Sequence, residues 1–365
     1  MRRKSSFVLS ALQQISDIIE ALPAIVHGVR VPVAIEPDQC WLLGEDEAMK
    51  RIVSVSRRTD VPAFYGEWFM RRVRQGCVGV VNPFGGKRYL VSLRPEDVTC
   101  FVFWSKDFTP FVEHLETLQR LGYRFYFNYT VTGLPSVFES HVDKAAALRT
   151  LKHLSRRYSP QHIHWRFDPI IFSDISDEDF YLKEFTKVAA ELEGLVERCY
   201  FSFVTEYGKV KRNFARLQET TGVTVVQRSE NEKIDLANRL ASIAAQHGIG
   251  MYSCCGDYLL GERIHKGHCV DGALIEKLFF PEGLRYKAKP SRPQCGCTES
   301  TDIGTYGTCP HGCVYCYANA NKATARRAQA RHDPDSAFLG FSKTQSDAWL
   351  AEMQQDSQAE EGTLF

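Results

Sequence analysis

The chain has 365 residues, 44% hydrophobic and 24% charged, with a formal net charge of +1. That length accommodates one large α/β domain or two ordinary ones and buries a sizeable core. The near-zero charge predicts no global attraction to nucleic acid or membrane, and no apolar run of ~18 residues offers a membrane span. Met1-Arg2-Arg3-Lys4 imitates the start of a signal peptide, but Gln13, Gln14, Asp17 and Glu20 interrupt the segment after it. A cytoplasmic protein is therefore expected.

In chain order, Val8, Leu12, Ile15, Ile19 and Leu22 fit one helical face, and Pro23 and Pro32 interrupt the later part. A second methionine, Met49, shortly precedes the strand-like Ile52-Val53-Ser54-Val55. Residues 1–48 accordingly read as an accessory helical extension or an over-long gene prediction, residues 49–340 as the body, and 341–365 as a tail. Asp60 and Pro62 open a predicted helix with Phe64, Trp68 and Val73 inside and Gly76 as its stop. Val78–Val81 and Cys100–Phe103 read as strands. Thr109 caps a helix with Pro110 in its first turn, Arg124–Val131 suits a strand, and His162–Phe167 is another. Ser176 is expected to cap the next helix, with a strand after it at Cys199–Val204. Ser229-Glu230-Asn231-Glu232 forms a capping box for a helix that Gly248 closes. Ile249–Tyr252 and Asp302–Thr308 supply the last strands.

This gives about eight β/α units over roughly 270 residues, the size of a TIM-type (β/α)8 barrel or partial barrel; a doubly wound sheet is the alternative. In a barrel, polar residues at the C-terminal strand ends line the mouth. Here these include Arg57, Arg58, Asp60, Asn82, Lys106, Asn128, Arg166, Asp168, Ser202 and Glu206. Arg57, Arg58, Asp60, Lys106, Arg166 and Asp168 are the candidate substrate-pocket residues, and the four cations point to an anionic, small-molecule or nucleotide-like substrate.

Twelve cysteines in a cytoplasmic chain argue for metal rather than disulfides. Cys40, Cys77, Cys100 and Cys199 are scattered, and eight others crowd into the last third. Cys309, Cys313 and Cys316 stand in Cys-Pro-His-Gly-Cys-Val-Tyr-Cys, a C-x3-C-x2-C spacing. Three thiolates hold three corners of a [4Fe–4S] cube and leave one iron open. Zinc is the alternative, although structural zinc usually wants four ligands in paired knuckles. Cys255, Cys269, Cys295 and Cys297 suffice for a second, closed cube; alternatively Cys269, Cys295 and Cys297 with His265 or His268 make a zinc site. Cys254 is then spare, or exchanges roles with Cys255, because adjacent side chains of an extended strand face opposite ways and only one of the two should reach a given cluster.

The glycine before the second cysteine, Gly312, and the aromatic before the third, Tyr315, resemble the cluster loop of radical S-adenosylmethionine (SAM) enzymes. A wider resemblance, over roughly Met49 to Gly340, is to a bacterial family known as domain of unknown function 1848. It rests on Ser56-Arg57-Arg58-Thr59-Asp60, Phe103-Trp104-Ser105-Lys106, Trp165-Arg166-Phe167-Asp168-Pro169-Ile170, Ser202-Phe203 with Tyr207, Cys255-Gly256-Asp257, Asp302-Ile303-Gly304 and Cys309–Asn319. The radical-SAM resemblance implies SAM on the open iron, Gly312 and Tyr315 at the cofactor, and an electron donor such as flavodoxin or ferredoxin. It also implies a cluster loop after the first barrel strand, whereas here the loop comes after the last. A circular permutation would reconcile the two, because domain termini often lie close together.

Two other classes compete. The basic Lys322, Arg326, Arg327 and Arg331, with a terminal Gly362-Thr363-Leu364-Phe365 similar to sliding-clamp peptides, fit an iron–sulfur nucleic-acid-processing protein. A non-catalytic protein with redox or structural clusters is the third.

Overall fold

The computed structural model describes residues 50–139 and 142–362, with side chains to 356. The extension expected at 1–48 and the terminal Thr363-Leu364-Phe365 lie outside these residues. Ten strands are present among the described residues: β1 (Arg51–Val55), β2 (Cys77–Val81), β3 (Arg88–Ser92), β4 (Val98–Ser105), β5 (Phe125–Thr130), β6 (Ile163–Ile170), β7 (Arg198–Phe203), β8 (Gly250–Ser253), β9 (Ile264–Lys266) and β10 (Thr301–Asp302). Eight make one sheet in the order β10-β1-β4-β5-β6-β7-β8-β9, parallel at every pairing. The last strand in the chain therefore lies beside the first, with Val53 opposite Thr301 and Ser54 opposite Asp302. Among the described strands β9 and β10 are the two edges, with no pairing between them.

Side chains alternate across a strand, and one parity serves β1 and β4 to β8, while β9 is offset by one, with Ile264 opposite Met251. Odd-numbered residues, including Val53, Phe101, Phe103, Phe127, Trp165, Phe167, Phe201 and Met251, join the large core. There they meet Trp68, Leu115, Leu151, Phe185, Val188 and Leu240 from the intervening helices. Trp165 stacks on Phe185 with ring centroids 5.0 Å apart, and its indole N–H donates to the Val131 carbonyl at 2.9 Å. Burying such a ring contributes roughly 3 kcal/mol. Even-numbered residues, Ile52, Cys100, Val102, Tyr126 and Tyr200, form a second cluster with Cys269, Val270, Leu274, Ile275, Cys295 and Cys297. A doubly wound sheet puts crossover helices on both faces. These crossover helices share one face, and the segment from β9 to β10 covers the other: Tyr126 and Asn128 of β5 both donate to the Cys269 carbonyl.

The structure corrects several expectations. Val78–Val81 is β2, but it pairs antiparallel with β3 in a separate hairpin, and the eighth sheet strand is instead the short β9, which has too few residues to show periodicity. The Asp302–Thr308 strand shrinks to β10 because the backbone turns away at Ile303 and Gly304 to enter the cysteine loop. Asp177, not Ser176, caps the helix Glu178–Leu192; the Ser176 hydroxyl is already engaged with Ser173 and the Ile171 carbonyl. Thr109 opens a short 3-10 turn ahead of the helix Val112–Arg120. The capping box at Ser229 and Glu232 forms, and Gly76, at φ 72°, ends the helix Gly66–Gln75. The segment expected as a tail is largely a helix, Lys343–Gly362. Its Trp349 packs edge-on against Phe338 and Phe341 at 5.2 and 4.7 Å, and Arg88 of β3 bridges to its Glu352 at 2.7 Å. No described helix is long and apolar enough to cross a membrane.

The join between β1 and β10 leaves no room at Gly304, where an added Cβ would meet Ser56 Oγ at 1.9 Å and Ser56 Cβ at 2.6 Å. Gly304→Ala is expected to cost about 1–3 kcal/mol, as overpacking does, read as a lower urea midpoint at unchanged slope.

Candidate functional site

The loops after β1 and β10 are laced together by one buried carboxylate. Asp302 accepts hydrogen bonds from Ser54 Oγ at 2.9 Å, Ser56 Oγ at 2.7 Å, and the amides of Arg57 at 2.8 Å and Gly304 at 3.0 Å. The guanidinium Nε atoms of Arg57 and Arg58 lie 3.6 and 3.8 Å from it. Further along, Thr59 donates to the Thr305 carbonyl, Tyr65 to that of Thr308, and Tyr317 to that of Arg57. Asp60 extends the join: its carboxylate caps Ala63, accepts the Lys106 amide, and lies 2.7 Å from His311 Nε2. Since an ionised carboxylate only accepts, Nε2 carries the hydrogen and His311 Nδ1 is left buried without a partner.

Cys309, Cys313 and Cys316 hang from this join, at the C-terminal end of the parallel sheet. Gly312 has φ 70°, a conformation that favours glycine, so the loop reverses between the first two cysteines. Tyr315 is held by its hydroxyl on Glu139. Backbone amides of Ala318 and Asn319 donate to the Cys316 sulfur, and that of Asp60 to Cys309. Burial pushes the Cys313 thiol up to about 12 despite the Lys106 ammonium nearby, and Cys309 and Cys316 also rise, chiefly through burial. Any metal held by these thiols would displace their protons. Three thiols in one loop, with amides aimed at two of the sulfurs, fit a [4Fe–4S] group, whose sulfurs accept hydrogen bonds. Among the described residues no group of three or more His, Cys, Asp or Glu side chains stands at the spacing that holds a single metal ion; a cube spreads its thiolates over separate irons.

Beside the loop, Lys106 Nζ lies 2.7 Å from Glu139 Oε1 and 5.7 Å from the centre of the Tyr315 ring. Thr132 donates to the other Glu139 oxygen at 2.9 Å. Burial raises a carboxylate's pKa, but the Lys106 charge and three hydrogen bonds prevail, so the Glu139 value is lowered. Burial likewise works against the Lys106 charge, yet Glu139 outweighs it and the Lys106 value is raised. On β6, Arg166 pairs with Asp168 and donates to Asn128 at 3.3 Å and Cys269 Sγ at 3.0 Å.

Cys254, Cys255, Cys269, Cys295 and Cys297 come together on the inner face. Cys254 Sγ is 3.4 Å from Cys269 Sγ; Cys255 touches Cys254 and Cys295, and Cys297 touches Cys269 and Cys295. Both thiols of the adjacent pair lie in this group. Cys254 faces inward by register, and Cys255, at φ 57°, leaves the strand conformation and swings its thiol to the same side. His265, the alternative ligand, packs on Tyr252 instead, with ring centroids 5.5 Å apart.

The structure thus brings Lys106 and Tyr315 together on Glu139, Arg57 and Arg58 on Asp302, and Arg166 with Asp168 and Cys269, so each predicted cation meets a carboxylate, whereas Asn82 follows β2 in the separate hairpin. Arg331 of the basic helix is also used internally, on the Gly340 carbonyl. Sequence reasoning missed Glu139, His311 and the anchoring role of Asp302. Glu139 belongs to a loop with no motif; His311 and Asp302 stand inside motifs whose other members drew attention.

Glu139→Gln is expected to cost about 3–5 kcal/mol at neutral pH, as when one partner of a buried ion pair is removed. Because the folded Glu139 pKa is depressed, its contribution is complete above the unfolded-state value and is lost as pH falls through the folded one. The raised Lys106 value means that the opposite limb fades only as pH rises through that raised value. Urea titrations from neutral to about pH 3 should therefore show a shallower acid limb in the variant.

No curated protein matches the chain. The model of the family described as Domain of unknown function (DUF1848) matches residues 52–318, from β1 to just past the third cysteine of the loop. The chain belongs to that family.

Proposed function

We propose that the protein is an iron–sulfur enzyme of radical-SAM type, built on a circularly permuted partial (β/α) barrel. The supporting observation is the pairing of β10 with β1. It makes the strand preceding the cysteine loop the first in spatial order, the position after which radical-SAM enzymes carry their cluster loop. Helices on one face of the sheet and a covering segment on the other suit a curved sheet of that type.

Cys309, Cys313 and Cys316 would hold a [4Fe–4S] group. When bound, it supplies an open iron where SAM chelates and is reductively cleaved to methionine and a 5′-deoxyadenosyl radical. The chain's own residues bind and orient. Glu139, kept ionised, fixes the Lys106 ammonium and the Tyr315 hydroxyl together beside Cys313. The buried Arg166–Asp168 pair presents both a donor and an acceptor edge. Arg57 and Arg58 share the single carboxylate of Asp302, leaving one positive charge in excess, and both side chains are partly exposed, which suits an anionic group on the substrate. Buried walls around these groups exclude water from reactive species.

The test is anaerobic reconstitution, then addition of SAM and dithionite. Formation of 5′-deoxyadenosine and a SAM-dependent change in the electron paramagnetic resonance spectrum are expected, with both abolished in a folded Cys313→Ala variant. A cluster-replete protein giving neither would overturn the proposal.

A further inference from the structure

We infer that Cys254, Cys269, Cys295 and Cys297 hold a second, closed [4Fe–4S] cluster that carries one electron, with Arg166 tuning its potential. The site is separate from the C-x3-C-x2-C loop and is assembled from three parts of the chain. Cys254 directly follows β8, Cys269 comes just after β9, and Cys295 and Cys297 precede β10.

Several observations converge. Five cysteine thiols gathered in one place without disulfide bonds supply the soft thiolate donors that a four-thiolate cluster takes and that an apolar core has no use for. Hydrogen-bond donors are aimed at the sulfurs: Arg166 Nη1 at Cys269 (3.0 Å), the Val270 amide at Cys297 (3.5 Å), and the Cys297 amide at Cys295 (3.4 Å). Buried Arg166 places a guanidinium on a sulfur, which compensates thiolate charge where solvent does not. With four thiolates every iron is ligated, so such a cluster accepts an electron rather than chelating a substrate.

The fourth ligand is assigned by register. Even-numbered residues face inward on β4 to β7, and Tyr252 and Cys254 continue that parity, with the Cys254 amide tied to the Phe201 carbonyl at 2.9 Å. Cys255 arrives only through its left-handed backbone; Arg292, which precedes β10, donates to both thiols, to Cys255 at 2.9 Å and to Cys254 at 3.8 Å, so register decides between them. Cys255 is the surplus thiol. The redox step is one electron from a reduced low-potential donor of the flavodoxin or ferredoxin class, taking the cluster core from 2+ to 1+ with no thiolate lost. A guanidinium bonded to a ligand sulfur stabilises the more negative, reduced form and so raises the potential.

The decisive protein is the full chain with Cys309, Cys313 and Cys316 all changed to Ala, purified anaerobically. It should retain about four irons and four sulfides, one cube, with a dithionite-reduced spectrum indifferent to SAM. Adding Cys254→Ser or Cys269→Ser should remove the iron, and Cys255→Ser should not. Arg166→Gln should move the midpoint potential to more negative values; Arg166→Lys, which keeps a cation for Asp168, should move it less. A folded triple variant without iron, or with zinc in its place, would overturn the site while leaving the open-cluster reading intact. Iron in the triple variant beside a SAM-silent wild type would do the reverse. Should the triple variant not fold, Cys269→Ser/Cys297→Ser in the otherwise unchanged chain reports the complementary loss, and unchanged iron there overturns the site. Iron lost with Cys255→Ser but kept with Cys254→Ser overturns the ligand assignment, and an unshifted potential in both Arg166 variants overturns the tuning role.

Discussion

The Asp302 carboxylate joins the first and last strands of the body of the chain. It collects two serine hydroxyls and two backbone amides, from β1 and from its own loop, and balances part of the charge of Arg57 and Arg58. Without it, β10 would have only its few ladder bonds to hold it at the sheet edge, since a strand of two residues pairs weakly. The cysteine loop takes its position from β10, so the placement of Cys309, Cys313 and Cys316 beside Lys106 and Glu139 depends on this one acceptor. Charge-assisted hydrogen bonds to a buried carboxylate are among the stronger polar contacts available to a protein.

A second constraint is the shared parity of the sheet. Parallel strands in register hold their even-numbered side chains on one face from β1 to β8, and that face is lined with Cys100, Tyr126, His164, Arg166, Tyr200 and Cys254. His164, fully buried between the Tyr126 and Tyr200 rings, has its pKa driven well down, chiefly by burial, with Arg198 and Arg166 adding to the effect. It stays neutral in the fold. Polar pairs and thiols therefore collect on one side of the sheet while the large aromatic core fills the other, and the polar side carries the Cys254–Cys269 group. Arg166 belongs to that side, bonded to Asp168 and to Cys269.

Much of this was legible in residue order wherever the cause is local. Ser229 and Glu232 satisfy each other's backbone amides within a single turn, and Gly76 ends a helix because it alone accepts a positive φ without strain. Hydrophobic runs at β4 to β8 announce buried parallel strands. Local pattern misplaced Val78–Val81, because a hairpin strand and a sheet strand have the same alternation and differ only in what they pair with. It also lost β9, whose three residues show no period at all.

The cysteine loop, with its spacing, its glycine and its tyrosine, was determined by sequence alone, because its three cysteines lie within eight residues of one another. So were the strand ends that bear Arg57, Lys106 and Arg166. Only the tertiary structure decided that β10 closes onto β1, that Glu139 neutralises Lys106, and that Cys254 joins Cys269. Those contacts link residues 248, 33 and 15 positions apart. Their energies depend on burial and on which strand lies beside which, quantities that no local window of residues contains.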